Sequence, residues 1–214
     1  IPSHVESLDD CCFYGCSSLT DLTIPSTVRS IGKECFRECN SLVNMSIPSS
    51  VNKLCEYAFS KCINLKEVSI SASIDSIERH LFSRCCSLET VAIPSSVCQI
   101  CQCSFYGCLK LKQIVIPASV TKIGSHSFNQ CSSLTKVQFT NPSSLEKIGK
   151  FCFKDCTSLE QIEIPSSIKT IKLCTFYGCS SLKEITIPSS VTCIKSNAFR
   201  KCSSLTHITF YNEN

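Results

Sequence analysis

Residues 182–205 read LKEITIPSSVTCIKSNAFRKCSSL, and this phrase decides the fold because the chain is built of nine near-copies of it. The unit opens on an Ile-Pro-Ser-x-Val phrase at Ile1, Ile24, Ile47, Ile70, Ile93, Ile116, Phe139, Ile164 and Ile187, and a last half-unit ends at Phe210. The step is 23 residues throughout, except between Phe139 and Ile164, where it is 25 and Thr140-Asn141 reads as an insertion at a turn. Equivalent positions carry equivalent chemistry. One column is always phenylalanine: Phe13, Phe36, Phe59, Phe82, Phe105, Phe128, Phe153, Phe176 and Phe199. Three residues later stands an unbroken cysteine column, from Cys16, Cys39 and Cys62 through Cys179 and Cys202. Three further on is a leucine column, from Leu19 to Leu205.

A single 23-residue unit has too little apolar surface to bury its own core face, so its Val, Ile, Phe, Cys and Leu must pack on the matching residues of neighbouring units. The alternation in Leu182–Ile187 predicts a strand, and Pro188, which lacks an N–H, ends it. A second short extended piece is expected between Val and Phe, and a 3₁₀ or single helical turn around Phe-x-x-Cys. Stacked strands lie about 4.8 Å apart, so nine units predict a rod on the order of 45 Å long.

The charge is mild: +4 net, with 18% charged residues, which demands neither nucleic acid nor an anionic membrane as partner. The apolar runs are far shorter than the ~20 residues of a membrane helix, so no membrane insertion is expected in this segment.

The Leu-x-x-Ile-x-Ile-Pro-x-Ser-Val-x-x-Ile-x-x-x-x-Phe-x-x-Cys-x-x-Leu pattern resembles the BspA-like (Treponema pallidum type) leucine-rich repeat, over the whole chain. Its cysteine richness is similar to the protist branch of that family, as in Trichomonas and Entamoeba. The resemblance implies a leucine-rich-repeat solenoid: a parallel sheet on one face, with short second strands and 3₁₀ or helical turns on the other. It also implies a habit of binding proteins at cell surfaces, with host matrix or plasma proteins among the ligands. The expected organisation is one solenoid over 1–214, a piece of a longer array.

Twenty cysteines in 214 residues would suggest a disulfide scaffold by composition. Their placement argues otherwise, because nine fill one column of an apolar core, where a small thiol is an ordinary filler. Cys12, Cys35 and Cys152 precede the Phe, where Ala58 and Ala198 also stand, and read as small core residues too. His80, Cys103 and His126 share one column in successive units and form a weak zinc candidate, unsupported by any C-x-x-C or H-x-x-x-H spacing. The surface reading of that row is preferred, and no cofactor is expected.

The outward strand positions are those where the units differ. Asp21, Asn44, Glu67, Gln113, Lys136, Gln161, Glu184 and His207 form a middle row that, with Glu163 beside it, is the candidate binding surface. Glu160, Glu163 and Glu184 make an acidic spot, and Asn44-Met45-Ser46 is a glycosylation sequon lying on this face. On the turn side, Tyr14, Tyr106 and Tyr177 each stand in Phe-Tyr-Gly-Cys, where glycine is expected to shape the turn. Arg37, Lys61, Arg84, Lys154, Arg200 and Lys201 enrich that side in positive charge.

Catalysis needs unlike groups converged in a partly dry pocket. The four histidines, His4, His80, His126 and His207, have no nucleophile and orienting carboxylate by spacing, and the six glycines fall at repeat turns. The expected function is therefore non-catalytic protein binding, either in adhesion at a cell surface or, as the alternative, in an intracellular scaffold docked on a cytoskeletal or other assembly. Family resemblance favours the surface, whereas the richness in thiols favours a reducing interior.

Overall fold

The computed structural model describes residues 1–211; residues 212–214, the tail of the expected 1–214 solenoid, lie outside the described residues. Each unit forms one coil carrying up to two short strands, numbered β1–β17 in chain order. One face is built from β3 (Asn44–Ile47), β5 (Glu67–Ile70), β7 (Thr90–Val91), β9 (Gln113–Ile116), β11 (Lys136–Phe139), β13 (Gln161–Ile162), β15 (Glu184–Ile187) and β17 (His207–Phe210). The other carries β1 (Ser7–Leu8), β2 (Ser30–Ile31), β4 (Lys53–Leu54), β6 (Ser76–Ile77), β8 (Gln99–Ile100), β10 (Lys122–Ile123), β12 (Lys147–Ile148), β14 (Thr170–Ile171) and β16 (Cys193–Ile194). All pairings are parallel and in repeat register, as in Asn44↔Glu67 and Lys122↔Lys147. The first unit forms no strand at Asp21, so the main sheet begins at Asn44.

The third side differs in detail from the expected 3₁₀ or helical turn: it consists of hydrogen-bonded turns, with no helix among the described residues. Two positions per coil, four residues apart, take positive φ, as at Tyr57 (61°) and Lys61 (61°) or His126 (59°) and Gln130 (63°). Left-handed backbone costs an L-residue roughly 1–2 kcal/mol. The cost is offset because the twisted backbone turns alternate amides toward the next coil: Tyr57, Phe59 and Lys61 donate to the carbonyls of Arg79, Leu81 and Ser83 at 3.0, 3.1 and 2.7 Å. A 3₁₀ turn would keep those amides inside the coil and leave the stack unpaired on this side.

The core lies between the three sides as continuous ladders. Consecutive Phe rings stack nearly parallel, with centroids 5.3 Å apart for Phe105–Phe128 and 5.8 Å for Phe59–Phe82. Phe36 through Phe176 are fully buried, and each such side chain contributes about 1.5–3 kcal/mol by leaving water. Beside them the ladder thiols from Cys39 onward donate to a Phe carbonyl in the preceding coil: Cys62 to Phe36 at 3.0 Å, Cys108 to Phe82 at 3.2 Å, Cys156 to Phe128 at 3.1 Å. Hydroxyls perform the same bridging at the Pro-Ser corner, where Ser96 and Ser119 donate to the carbonyls of Ile74 and Val97 at 2.7 Å each.

Candidate functional site

The alternation that makes the strands also settles which residues face out. In β3, Met45 and Ile47 are buried while Asn44 and Ser46 are exposed, and β9 and β15 repeat the pattern. All the candidate residues, Asp21, Asn44, Glu67, Gln113, Lys136, Gln161, Glu163, Glu184 and His207, are exposed. Register brings most of them into one row through Asn44↔Glu67, Lys136↔Gln113, Lys136↔Gln161 and Glu184↔His207. Asn44 sits at the first strand of this sheet, so a sugar there would cover one end of the row. Along one margin, ion pairs run from coil to coil: Lys112–Glu89 at 2.8 Å and Lys183–Glu160 at 3.8 Å. Hydrogen bonding by Lys112, then its charge, holds the Glu89 carboxyl below the usual carboxylate range.

The two-residue insertion has a consequence that the repeat pattern did not disclose. Thr140 and Asn141 loop out after β11, and β13 is cut to Gln161–Ile162, with Glu163 keeping only an isolated bridge to Thr186. A cleft of about 480 Å³ opens there, lined by Phe139, Asn141, Glu163, Pro165, Pro188 and Tyr211. It supplies what the sheet row lacks, an aromatic and apolar recess at its margin. Only the break in the 23-residue step hinted at it.

On the turn side the tyrosines are covered by cations. Arg37 lies 5.6 Å from the Tyr14 ring centroid, Arg84 5.9 Å from Tyr106, and Lys154 and Lys201 5.2 and 5.5 Å from Tyr177. Of the three, Tyr106 and Tyr177 are half-buried and Tyr14 is exposed. Gly107 after Tyr106 has φ +71°, which confirms the turn-shaping role of that residue.

The weak zinc row is a column of stacked rings. His80 packs on Tyr57 with centroids 4.5 Å apart, His126 on Phe151 at 4.7 Å, and Asn129 Nδ2 donates to His126 Nδ1 at 2.9 Å. No group of three His, Cys, Asp or Glu side chains that could hold a metal ion occurs among the described residues. Desolvation, then Arg79, lowers the His80 pKa; desolvation, then Lys154, lowers that of His126.

All 20 cysteines are free in this structure. Within the ladder, burial pushes Cys39 and Cys202 up to about 11 and raises Cys85, Cys108 and Cys156 well above the ordinary thiol range, which keeps them as thiol donors. Cys35 and Cys152 are core residues as expected, but Cys12 is exposed in this structure. Its Sγ lies 3.3 Å from that of Cys35.

A 23-residue coil with a Phe stack, a thiol-to-carbonyl ladder and a parallel sheet on one side is a defined kind of repeat, and the BspA type leucine rich repeat region matches residues 1–112 and 99–214 in six copies. The chain belongs to the BspA-type leucine-rich-repeat family. Among solved structures it is similar to the Treponema pallidum leucine-rich-repeat protein, at 28% identity and a TM-score of 0.70, covering 77% of this chain and 78% of that one. It is similar also to a leucine-rich repeat protein from Bacteroides ovatus, at 27% identity and a TM-score of 0.53, covering 97% and 71%. A Faecalibacterium prausnitzii leucine rich cell surface protein shares the fold at 24% identity and a TM-score of 0.52, covering 100% and 87%. No match is found among proteins of curated function. The family is one of protein-interaction repeats, and no helix of the described residues is long and apolar enough to cross a membrane.

Proposed function

We propose that this BspA-type solenoid is a non-catalytic binding domain whose sheet face engages a protein partner in adhesion at a cell surface. The observation that carries the reading is the division of labour within each coil. The inward positions keep the same Phe, Cys, Ile and Leu from coil to coil, while the outward row changes at nearly every step and stays exposed along its length. A uniform frame displaying a non-uniform row is how repeat solenoids present an extended recognition surface. The cleft beside Glu163 and Tyr211 gives that surface a recess for an apolar anchor.

The test uses the purified domain against a panel of immobilised extracellular-matrix proteins and, separately, sedimented cytoskeletal filaments. A triple variant, Glu67→Arg, Gln113→Arg and Gln161→Arg, is expected to lose binding to the matrix ligand that the parent captures. A turn-side variant, Lys61→Gln with Arg84→Gln, is expected to keep it. Equal binding by parent and triple variant overturns the sheet-face assignment. Binding to filaments and to no matrix protein replaces adhesion with the rival reading of an intracellular scaffold, which the abundance of free thiols favours.

A further inference from the structure

The second-strand face is divided in charge along the rod. In the first five coils the strand and the corner after it, from Glu6 to Cys103, carry seven acids against four bases. In the last four coils the same segments carry Lys122, Lys147, Lys150, Lys169, Lys172 and Lys195 against one acid, Glu146. All six ammonium groups stand outside the core; only Lys172 is half-buried and the others are exposed.

Two features separate this cluster from an ordinary solvated edge. First, none of these lysines forms an ion pair among the described residues, whereas Lys61, Lys112 and Lys183 reach Glu38, Glu89 and Glu160 in the coil before, at 2.7, 2.8 and 3.8 Å. Second, Lys122 and Lys147 are direct partners on adjacent parallel strands. Like charges opposite one another in a sheet destabilise it. Backbone bonds between coils fix the strands that carry them: Glu146 N–H donates to Thr121 O at 2.9 Å, Thr192 to Lys169 O at 3.0 Å, and Lys195 to Ile171 O at 2.8 Å. Lys122 faces Lys147 on one strand pair, and Lys172 and Lys195 follow the next pair, Ile171↔Ile194, so this face holds two adjacent like-charged lysine pairs that a polymer carrying repeated anions would relieve.

We propose that this face, over coils six to nine, binds a linear sulfated polysaccharide of the glycosaminoglycan class. The face carries Thr121, Thr170 and Thr192 among the lysines; Thr121 and Thr192 donate to Cys98 O and Lys169 O, which leaves their oxygens to accept from sugar hydroxyls. Single-stranded nucleic acid would call for exposed aromatic rings to stack bases, and the rings at this corner, His126 and Phe151, are stacked on each other. The cations of this face are all lysines, without the arginine forks that nucleic-acid recognition favours.

The experiment measures affinity for heparin at about 0.15 M salt and its salt dependence. Three proteins are compared: the parent, a face variant (Lys122→Gln, Lys147→Gln, Lys169→Gln, Lys172→Gln), and a charge-matched control (Lys61→Gln, Lys112→Gln, Lys154→Gln, Lys183→Gln). Circular dichroism checks the fold of each. The face variant is expected to bind about tenfold or more weakly, with a shallower salt slope, and the control within about twofold of the parent. Equal losses in both variants reduce the effect to net charge and overturn the proposal. Tighter binding of DNA than of heparin at the same salt assigns the face to nucleic acid instead. Salt-sensitive self-association of the parent, abolished in the face variant, assigns it to a second copy. The sheet-face variant of the preceding section adds positive charge away from this face and so keeps or gains heparin binding, while its loss of the protein ligand is read separately.

Discussion

At the scale of single residues, the cysteines divide by what surrounds the sulfur. In Cys108 the thiol is a buried donor to Phe82 O, a carbonyl that also accepts the Cys85 amide at 3.1 Å. Cys108→Ala therefore removes a second, weaker bond and leaves a small void. The expected cost is about 1 kcal/mol in urea unfolding, well below that of an orphaned carbonyl. Cys12 and Cys35 are different, because one is exposed and their sulfurs already touch. Under limiting diamide, which takes up the two thiol hydrogens, they are expected to be the first pair to join. Peptide mapping reads this as a Cys12–Cys35 crosslink that Cys12→Ser abolishes. For His80 and His126 burial holds the folded pKa below the ordinary imidazole value of about 6.5, so the unfolded chain binds protons more readily. Stability is then highest above pH 6.5 and falls as pH drops from there toward the folded pKa values. The urea midpoint is expected to be lower at pH 5 than at pH 7.5, and His80→Gln with His126→Gln flattens that slope.

The element here is the coil, and its weakest link is the turn side with its paired left-handed residues. Fifteen of these positions are filled by residues other than glycine, which the inter-coil hydrogen bonds sustain. Gly107→Val puts a β-branched side chain at φ +71°, where a new Cβ lies 3.5 Å from Arg84 Cγ. The expected loss is roughly 1–2 kcal/mol from backbone strain, while Gly107→Asn, which tolerates that region, loses less. Thermal unfolding of the two variants checks the order. This conformation was not legible in the sequence: Phe-x-x-Cys has the spacing of a helical turn, and three glycines in nine coils gave too sparse a sign of positive φ.

At the scale of the whole molecule, each coil contacts only its neighbours, so stability is a sum of coil and interface contributions. Phe105, stacked on both sides at 5.6 and 5.3 Å, is expected to cost about 3–5 kcal/mol when changed to Ala. Phe199, partly exposed and stacked on Phe176 alone among the described residues, costs clearly less. Amide exchange resolved along the chain would show the first variant opening coils on both sides of the lesion and the second opening only the end. Repetition inside the chain determined, without any coordinates, the unit length, the core ladders, the exposed row and the place of the insertion, because a 23-residue period pairs each apolar residue with its own copies in the adjacent coils. What only the tertiary structure decided are properties of the stack: the thiol-to-carbonyl bonds, the Cys12–Cys35 contact, the cleft at Glu163 and the unpaired lysine face. Those depend on how side chains from different coils meet in space, and no single unit carries that geometry in its residues.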